Sequence, residues 1–590
     1  MLAKTLRTTL HCVTGLVSVA LLRSAFQSSS SGVAMAAQPI RYRHNDHYHY
    51  IYPEERPGSR QGPSVDTPTS WFVSMSEQVL TAQSNPTQLN YGIAVTDVDN
   101  DGELEIVVAG FNGPNLVLKY NHTISQLENL AIDDASSPFY GLRDEGGQAI
   151  GVCACDVDGD GREEIYFLNT NQAYWGTKSY PDKLFKWRNG RYEDILSDSA
   201  NADVTNDFAG RSVACIDRKG TGRYSIYLAN YANYQLSPPV GACAMIEMNE
   251  AESNVSEGTI KIENVASQVG VRKFIGGRGV TVGPILNDEG RSDIFCDNER
   301  GPNFLYKNNG QGVFTEVAQE HGVADPYNNG RGVALADFNG DGKLDIVYGN
   351  WNGEHRLYLQ QERQGRRRFK DAATPEFARP SPIRTVIAAD MDNDGVMEVF
   401  FNNIAYRGRA PNRLFKVSPS ENGRVQIEQQ TELGKAVEET GHGTGGAVTD
   451  FDGDGQLELI LAHGESAEEP LTVYRPRQGA NNNWLRVMPL TQQGAPARGA
   501  LVKVTSGDGV SQLRVIDGGS GYLCQMEPVA HFGFGDQEPT LTLEVKWPDT
   551  ATFTRPLRAE ERNTMIRIPH PGQTAEAGQQ GSSNGDQQSP

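Results

Sequence analysis

The sequence predicts an all-β protein, a seven-bladed β-propeller followed by a small all-β C-terminal domain. Three observations predict it. A ten-residue acidic phrase recurs, clearest as Asp97-Val98-Asp99-Asn100-Asp101-Gly102-Glu103-Leu104-Glu105-Ile106. Seven copies, two of them eroded, start at 97, 156, 217, 285, 337, 390 and 450, so the units have near-constant length. Each copy also holds the same place in a unit of four short strand patterns. Such units bury their faces only by stacking, and closing the ring protects its first and last edges. An open solenoid fits less well, because its coils run about 20–30 residues.

In chain order, residues 1–37 read as a secretory signal. Lys4 and Arg7 precede an apolar stretch from Cys12 to Leu22, and cleavage falls after Ala36 or Ala37. That stretch is too short to span a bilayer, and no other is long enough. Residues 38–68, rich in Pro, Arg and Tyr, are expected to form an irregular arm, whose His44, His47 and His49 are more in keeping with a solvated segment than a metal site.

The propeller is assigned to 69–481. In the fifth unit Arg331–Ala336 leads into the acidic loop, Leu344–Tyr348 leaves it, and strands at Arg356–Leu359 and around Phe369 complete the blade. The fourth unit shows the outer hairpin, Asn303–Lys307 and Val313–Val317 about an Asn-Gly turn. Near Asn482 the repeat stops. Strand patterns at Asn483–Val487, Ala500–Thr505, Gln512–Ile516 and Thr540–Trp547 define a β domain over 482–570, and the Gln/Gly/Ser-rich 571–590 reads as a disordered tail.

The acidic phrase is a candidate calcium loop. Asp97, Asp99, Asp101 and Glu105 hold positions 1, 3, 5 and 9 of the first copy. Asp156, Asp158, Asp160 and Glu164 do so in the second, and Asp337, Asn339, Asp341 and Asp345 in the fifth. Asp390, Asp392, Asp394 and Glu398 do so in the sixth, and Asp450, Asp452, Asp454 and Glu458 in the seventh. Hard oxygen ligands at this density select Ca²⁺, Gly at position 6 permits the bend, and the acid at 9 is expected to close the shell. An EF-hand needs Glu at position 12, where Val108, Phe167, Tyr348, Phe401 and Leu461 stand. About five sites are expected. The third copy, with Lys219, Thr221 and Ser225 at ligand positions, should hold none, and the fourth should be empty or weak.

Acids outnumber bases 74 to 53, giving a net charge of −21, which five Ca²⁺ would reduce to −11. That balance excludes nucleic acid as the expected partner. Six cysteines remain beyond the signal, so disulfides are expected, with their pairing open. Asn121 and Asn254 begin glycosylation triplets. Arg366, Arg367 and Arg368, with Arg363 and Lys370, form a basic cluster that reads first as a solvated hairpin tip and second as an acidic-glycan site. Gly441-His442-Gly443-Thr444-Gly445-Gly446 matches a dinucleotide fingerprint but leads into a strand rather than a helix. No catalytic set is evident.

The acidic loops resemble the FG-GAP/VCBS repeats of integrin-α heads. Arg498-Gly499-Ala500, the Gly518-Gly519-Ser520-Gly521 segment, His531-Phe532-Gly533-Phe534-Gly535 and Val545-Lys546-Trp547-Pro548 resemble the ASPIC/UnbV domain. Together, behind a signal peptide, they resemble the cartilage acidic protein family in a short form without its EGF-like module. The resemblance implies a secreted, calcium-binding extracellular glycoprotein, non-enzymatic, that binds a protein receptor or matrix component. The alternative is a carbohydrate-active propeller, lectin or polysaccharide lyase.

Overall fold

Alternating apolar and polar residues interrupted by Gly-rich turns give strands almost throughout the computed structural model. It describes residues 40–44, 47–51, 65–170, 180–204, 206–233, 239–299 and 301–573. The signal segment and most of the tail lie outside these residues. The expected irregular arm is corrected in part: Ile40–His44 and His47–Ile51 pair as an antiparallel hairpin. Both strands alternate Tyr with Arg or His, a period-2 signal that the Pro-rich surroundings obscured.

Seven four-stranded antiparallel sheets follow one another among the described residues. Their innermost strands are Asn90–Thr96, Ala149–Cys155, Gly210–Ile216, Gly276–Gly283, Gly330–Ala336, Ile383–Ala389 and Gly443–Thr449. Each packs against the next, and the seventh packs against the first, which closes the ring. These strands are almost wholly buried. Glycines let them converge on the axis: a Cβ on Gly445 would lie 2.1 Å from the Tyr91 carbonyl oxygen. The apparent dinucleotide fingerprint is therefore a packing feature of the seventh blade.

The ring is sealed by strand exchange between its ends. Six blades take four consecutive strands. The seventh takes three, ending at Thr472–Pro476, and receives its outer strand, Phe72–Ser74, from the chain ahead of the first blade. Phe72 is fully buried against Phe400 and Tyr474. A disulfide between Cys155 and Cys215 joins the innermost strands of the second and third blades. Cys153, Cys243, Cys296 and Cys524 are free and buried.

The C-terminal domain has two small sheets. Asn483–Pro489 lies between Ala530–Gly535 and the parallel Met565–Ile568, while Leu501–Ser506 and Leu541–Lys546 centre the other. It does not simply follow the ring. The segment Asp517–Met526 enters the central channel and touches every blade. The Gln525 N–H donates to Ile93 O at 2.9 Å, and the Val95 N–H donates to Gln525 O at 3.2 Å. Leu523 O accepts from Val152 N, Gly518 O from Cys215 N, and Gly521 exchanges two bonds with Val333. Tyr522 N–H donates to Thr385 Oγ1, Gly446 N–H to Cys524 Sγ, and Gly518 lies beside Val282 of the fourth blade. Any side chain at Gly518 would meet Cys215 O, at 2.5 Å from its Cβ.

Candidate metal centres

Every acidic loop joins the innermost strand of a blade to the second strand, so all seven lie on one face of the ring. The position-1 aspartate shapes the turn. In the first copy Asp97 accepts from the N–H groups of Asp101 and Gly102, at 3.1 and 2.9 Å. Asp217 in the eroded third copy accepts from Gly220, Thr221 and Gly222 at 2.7–3.0 Å. The same turn thus forms without the other carboxylates. In six of the seven loops position 4 has positive φ as well as position 6, as at Asn100 and Gly102, which explains why position 4 is Asn or Gly there; the fourth has Asp288 instead. That signal is present in the sequence itself.

The position-9 acid is a strap. One oxygen accepts from the position-2 N–H: Val98, Val157, Phe338 and Met391 donate to Glu105, Glu164, Asp345 and Glu398 at 2.6–3.0 Å. The other reaches the third strand. Where position 9 is Glu, it meets a cation there: Lys119 at 3.3 Å, Lys186 at 3.0 Å, Lys416 at 3.1 Å and Arg475 at 2.6 Å. Where it is Asp, it accepts a backbone N–H instead, from Asn308 to Asp293 and from Gln360 to Asp345.

The third-strand cations also bind the acids at positions 3 and 5. Lys119 Nζ is 2.7 Å from Asp99 and 2.5 Å from Asp101; Lys186 is 2.7 Å from Asp158 and 2.6 Å from Asp160. Lys416 bridges Asp392 and Asp394, and Arg475 bridges Asp452 and Asp454. Four carboxylates and one cation leave three formal negative charges per loop. The fifth loop reaches the same sum differently, with Asn339 at position 3 and Leu359 opposite position 9. In the third blade the polarity is inverted: Lys219, at position 3, pairs with Glu247 on the third strand at 3.0 Å.

Four sets bring one oxygen from each of three acids within 4.8 Å of one another: Asp97, Asp99 and Asp101; Asp156, Asp158 and Glu164; Asp390, Asp392 and Glu398; Asp450, Asp452 and Glu458. The fifth loop is not among these four. Asp392 Oδ1 and Glu458 Oε2 are buried acceptors without a hydrogen-bond donor. Burial, then the Asp99 charge, pushes Glu105 up to about 8. Burial pushes Asp156 and Asp390 to about 7, and Asp337 and Asp450 to about 6. Buried acids with unmet oxygens fit a hard divalent cation.

The C-terminal domain rests on this same face, a placement the sequence did not reveal. Arg486 joins Asp450 at 2.9 Å, and the Gly533 N–H donates to Asp390 at 2.8 Å. Arg567 donates to Gly102 O, Gln493 to Thr221 O and Lys546 to Asp288 O. Arg498, fully buried, grips Glu163 at position 8 of the second copy. Of the remaining expectations, Asn121 ends the third strand of the first blade and Asn254 is exposed in the third. Arg366, Arg367 and Arg368 lie on the outer hairpin of the fifth blade, as the hairpin reading expects. His355, His442, His463 and His531 have separate neighbours.

An FG-GAP-like repeat model matches residues 97–167, 286–348 and 337–401, and an ASPIC and UnbV model matches 490–575. Cartilage acidic protein 1 of Xenopus tropicalis is 59% identical over 504 residues, covering 85% of this chain and 77% of the relative. The Homo sapiens protein of that name is 59% identical, covering 85% and 75%. Among solved structures, the exotype rhamnogalacturonan lyase YesX aligns with a TM-score of 0.35 at 12% identity, covering 69% of this chain and 76% of that one. The BP39L lectin of Burkholderia pseudomallei gives 0.38 at 12% identity, covering 66% and 96%.

Proposed function

The chain belongs to the cartilage acidic protein family, and from that premise we propose a secreted, calcium-binding, non-enzymatic protein that binds an extracellular receptor or matrix component. The observation that carries this reading is the position of the acidic loops between ring and C-terminal domain, where Asp390 and Asp450 serve both. Calcium there would be held by the acids at positions 1, 3 and 5, with the position-9 acid alongside. Bound Ca²⁺ supplies charge neutralisation and fixed oxygen geometry. The chain's own residues set the turn, strap it to the third strand and carry the C-terminal domain.

The binding role is supported by the channel, which is filled by the chain's own Asp517–Met526 segment. No helix among the described residues is long and apolar enough to cross a membrane. At a Kd near 10⁻⁴ M and about 1 mM free Ca²⁺, each site adds about 1.4 kcal/mol by linkage. Metal analysis and calorimetric titration of the chelated full chain test the calcium reading. Bound calcium and a higher melting temperature on its return are expected; no uptake and no shift would overturn it. Proximity labelling by the secreted protein on live cells tests the receptor reading.

A further inference from the structure

The face opposite the acidic loops is where the innermost strands begin, each with a register shift. The residue at that shift is arginine in four consecutive blades: Arg211, Arg278, Arg331 and Arg384. Three of them are at least nine-tenths buried. They stack on aromatic rings at the ends of the neighbouring second strands. Arg384 lies 4.0 Å and Arg331 5.4 Å from the Trp351 ring centre, and Arg278 lies 4.7 Å and Arg211 5.7 Å from that of Tyr231. On the other side of the mouth Tyr91 and Phe111 have ring centres 5.5 Å apart, beside Ile150. Tyr522 and Leu523, from the segment that fills the channel, pack on Ile150 and form the floor. The channel mouth, here called the cup, is thereby lined by arginines on one side and by apolar residues on the other.

Among the described residues, two carboxylates pair with these guanidinium groups. Glu299 pairs with Arg278 and Arg331, and Glu465 lies 2.7 Å from Arg384 Nε. Beneath them Asp297 accepts from Gly279 N–H, a third carboxylate against the four guanidinium groups. The excess is positive, in a chain of net charge −21. Glu465 is exposed and has φ of +67°, a left-handed conformation that is strained for a residue other than glycine. Its carboxylate occupies an arginine fork whose geometry suits a planar anion.

We propose that this cup binds a saccharide unit carrying a carboxylate or sulfate. The anion takes the place of Glu465 on Arg384, and the apolar face of the sugar ring lies on Tyr91 and Phe111. The proposal adds a ligand class to the non-enzymatic binding role and rests on that role, not on the calcium loops.

Calorimetric titration of the full chain, in calcium, with a sulfated heparin-type tetrasaccharide, a tetragalacturonate and a Glu-rich hexapeptide tests it. Binding of either saccharide is expected, and the two arms separate sulfate from carboxylate. Replacing Arg331→Gln and Arg384→Gln together should weaken it by about tenfold or more. Because those arginines are buried, Glu465→Gln is the second variant: it removes only the competing carboxylate and should tighten binding severalfold. Arg366→Ala, Arg367→Ala and Arg368→Ala together should leave affinity unchanged. Binding of neither saccharide, binding indifferent to the cup variants, loss through the hairpin variant, or binding of the peptide alone would overturn the proposal. Binding followed by cleavage would support the cup and overturn the non-enzymatic role.

Discussion

Lys186 is 4% exposed and touches Asp158, Asp160 and Glu164. Replacing it with methionine leaves three acids without their internal cation. In chelator Lys186→Met should cost roughly 3–5 kcal/mol, the usual penalty for breaking a buried pair. In calcium the loss should shrink, because the loop gains a fourth net negative charge and holds the ion more tightly. Denaturant melts with and without calcium check both parts. Asp217 gives the contrasting case, since its three accepted N–H bonds shape a turn already balanced by Lys219 and Glu247. Asp217→Ala should destabilise by about 2 kcal/mol, equally in calcium and in chelator. Unequal losses would contradict a metal-free third loop. His463 and Glu438, 3.0 Å apart, give a pH signature. Burial alone would lower the His463 pKa, but Glu438 overrides it and raises the value above 6.5. The charged imidazolium therefore stabilises the fold fully below about pH 6.5 and less as pH rises through the raised value. Burial would raise Glu438, but His463 and hydrogen bonds from Thr472 and Tyr474 hold it low, so its share is lost only in acid. The stability advantage of wild type over His463→Gln should narrow from pH 6 to pH 9.

At the scale of elements, the blade was legible because its punctuation is local. Asp at position 1, Gly at position 6 and an apolar run fall within one loop and one strand, and they recur at nearly fixed spacing. The third-strand cations were not legible. Lys119, Lys186, Lys416 and Arg475 lie at different distances along the chain from their acids, because the intervening turns differ in length. Phe72–Ser74 was hidden for a different reason: three residues carry no period, and their partner lies at the other end of the ring. The strand is short, yet Phe72 fills the seventh blade. Phe72→Ala should cost about 3–5 kcal/mol, the range for deleting a buried aromatic side chain. A loss below about 1 kcal/mol would mean the ring does not depend on this strand.

For the whole molecule, ring and C-terminal domain share a channel, a set of loops and several buried ion pairs, including Arg498 with Glu163 and Arg486 with Asp450. The sequence separated them because their patterns differ, and pattern reports local structure rather than docking. They should unfold together. Differential scanning calorimetry is expected to give a single cooperative transition for 65–573 in calcium; two well-separated transitions would show that the channel segment binds weakly.

The sealed ring also sets an order of events during synthesis. Ser74 pairs with Tyr474, so the strand that completes the last blade leaves the ribosome before any of the blade it will finish. Until that blade emerges Phe72–Ser74 has no partner, and the channel stays empty until Asp517–Met526 has been made. Earlier blades can form pairwise as they emerge, but closure waits for nearly the whole chain. The nascent protein therefore carries an unpaired strand for most of its translation, and its slowest folding step should be the return of its own beginning.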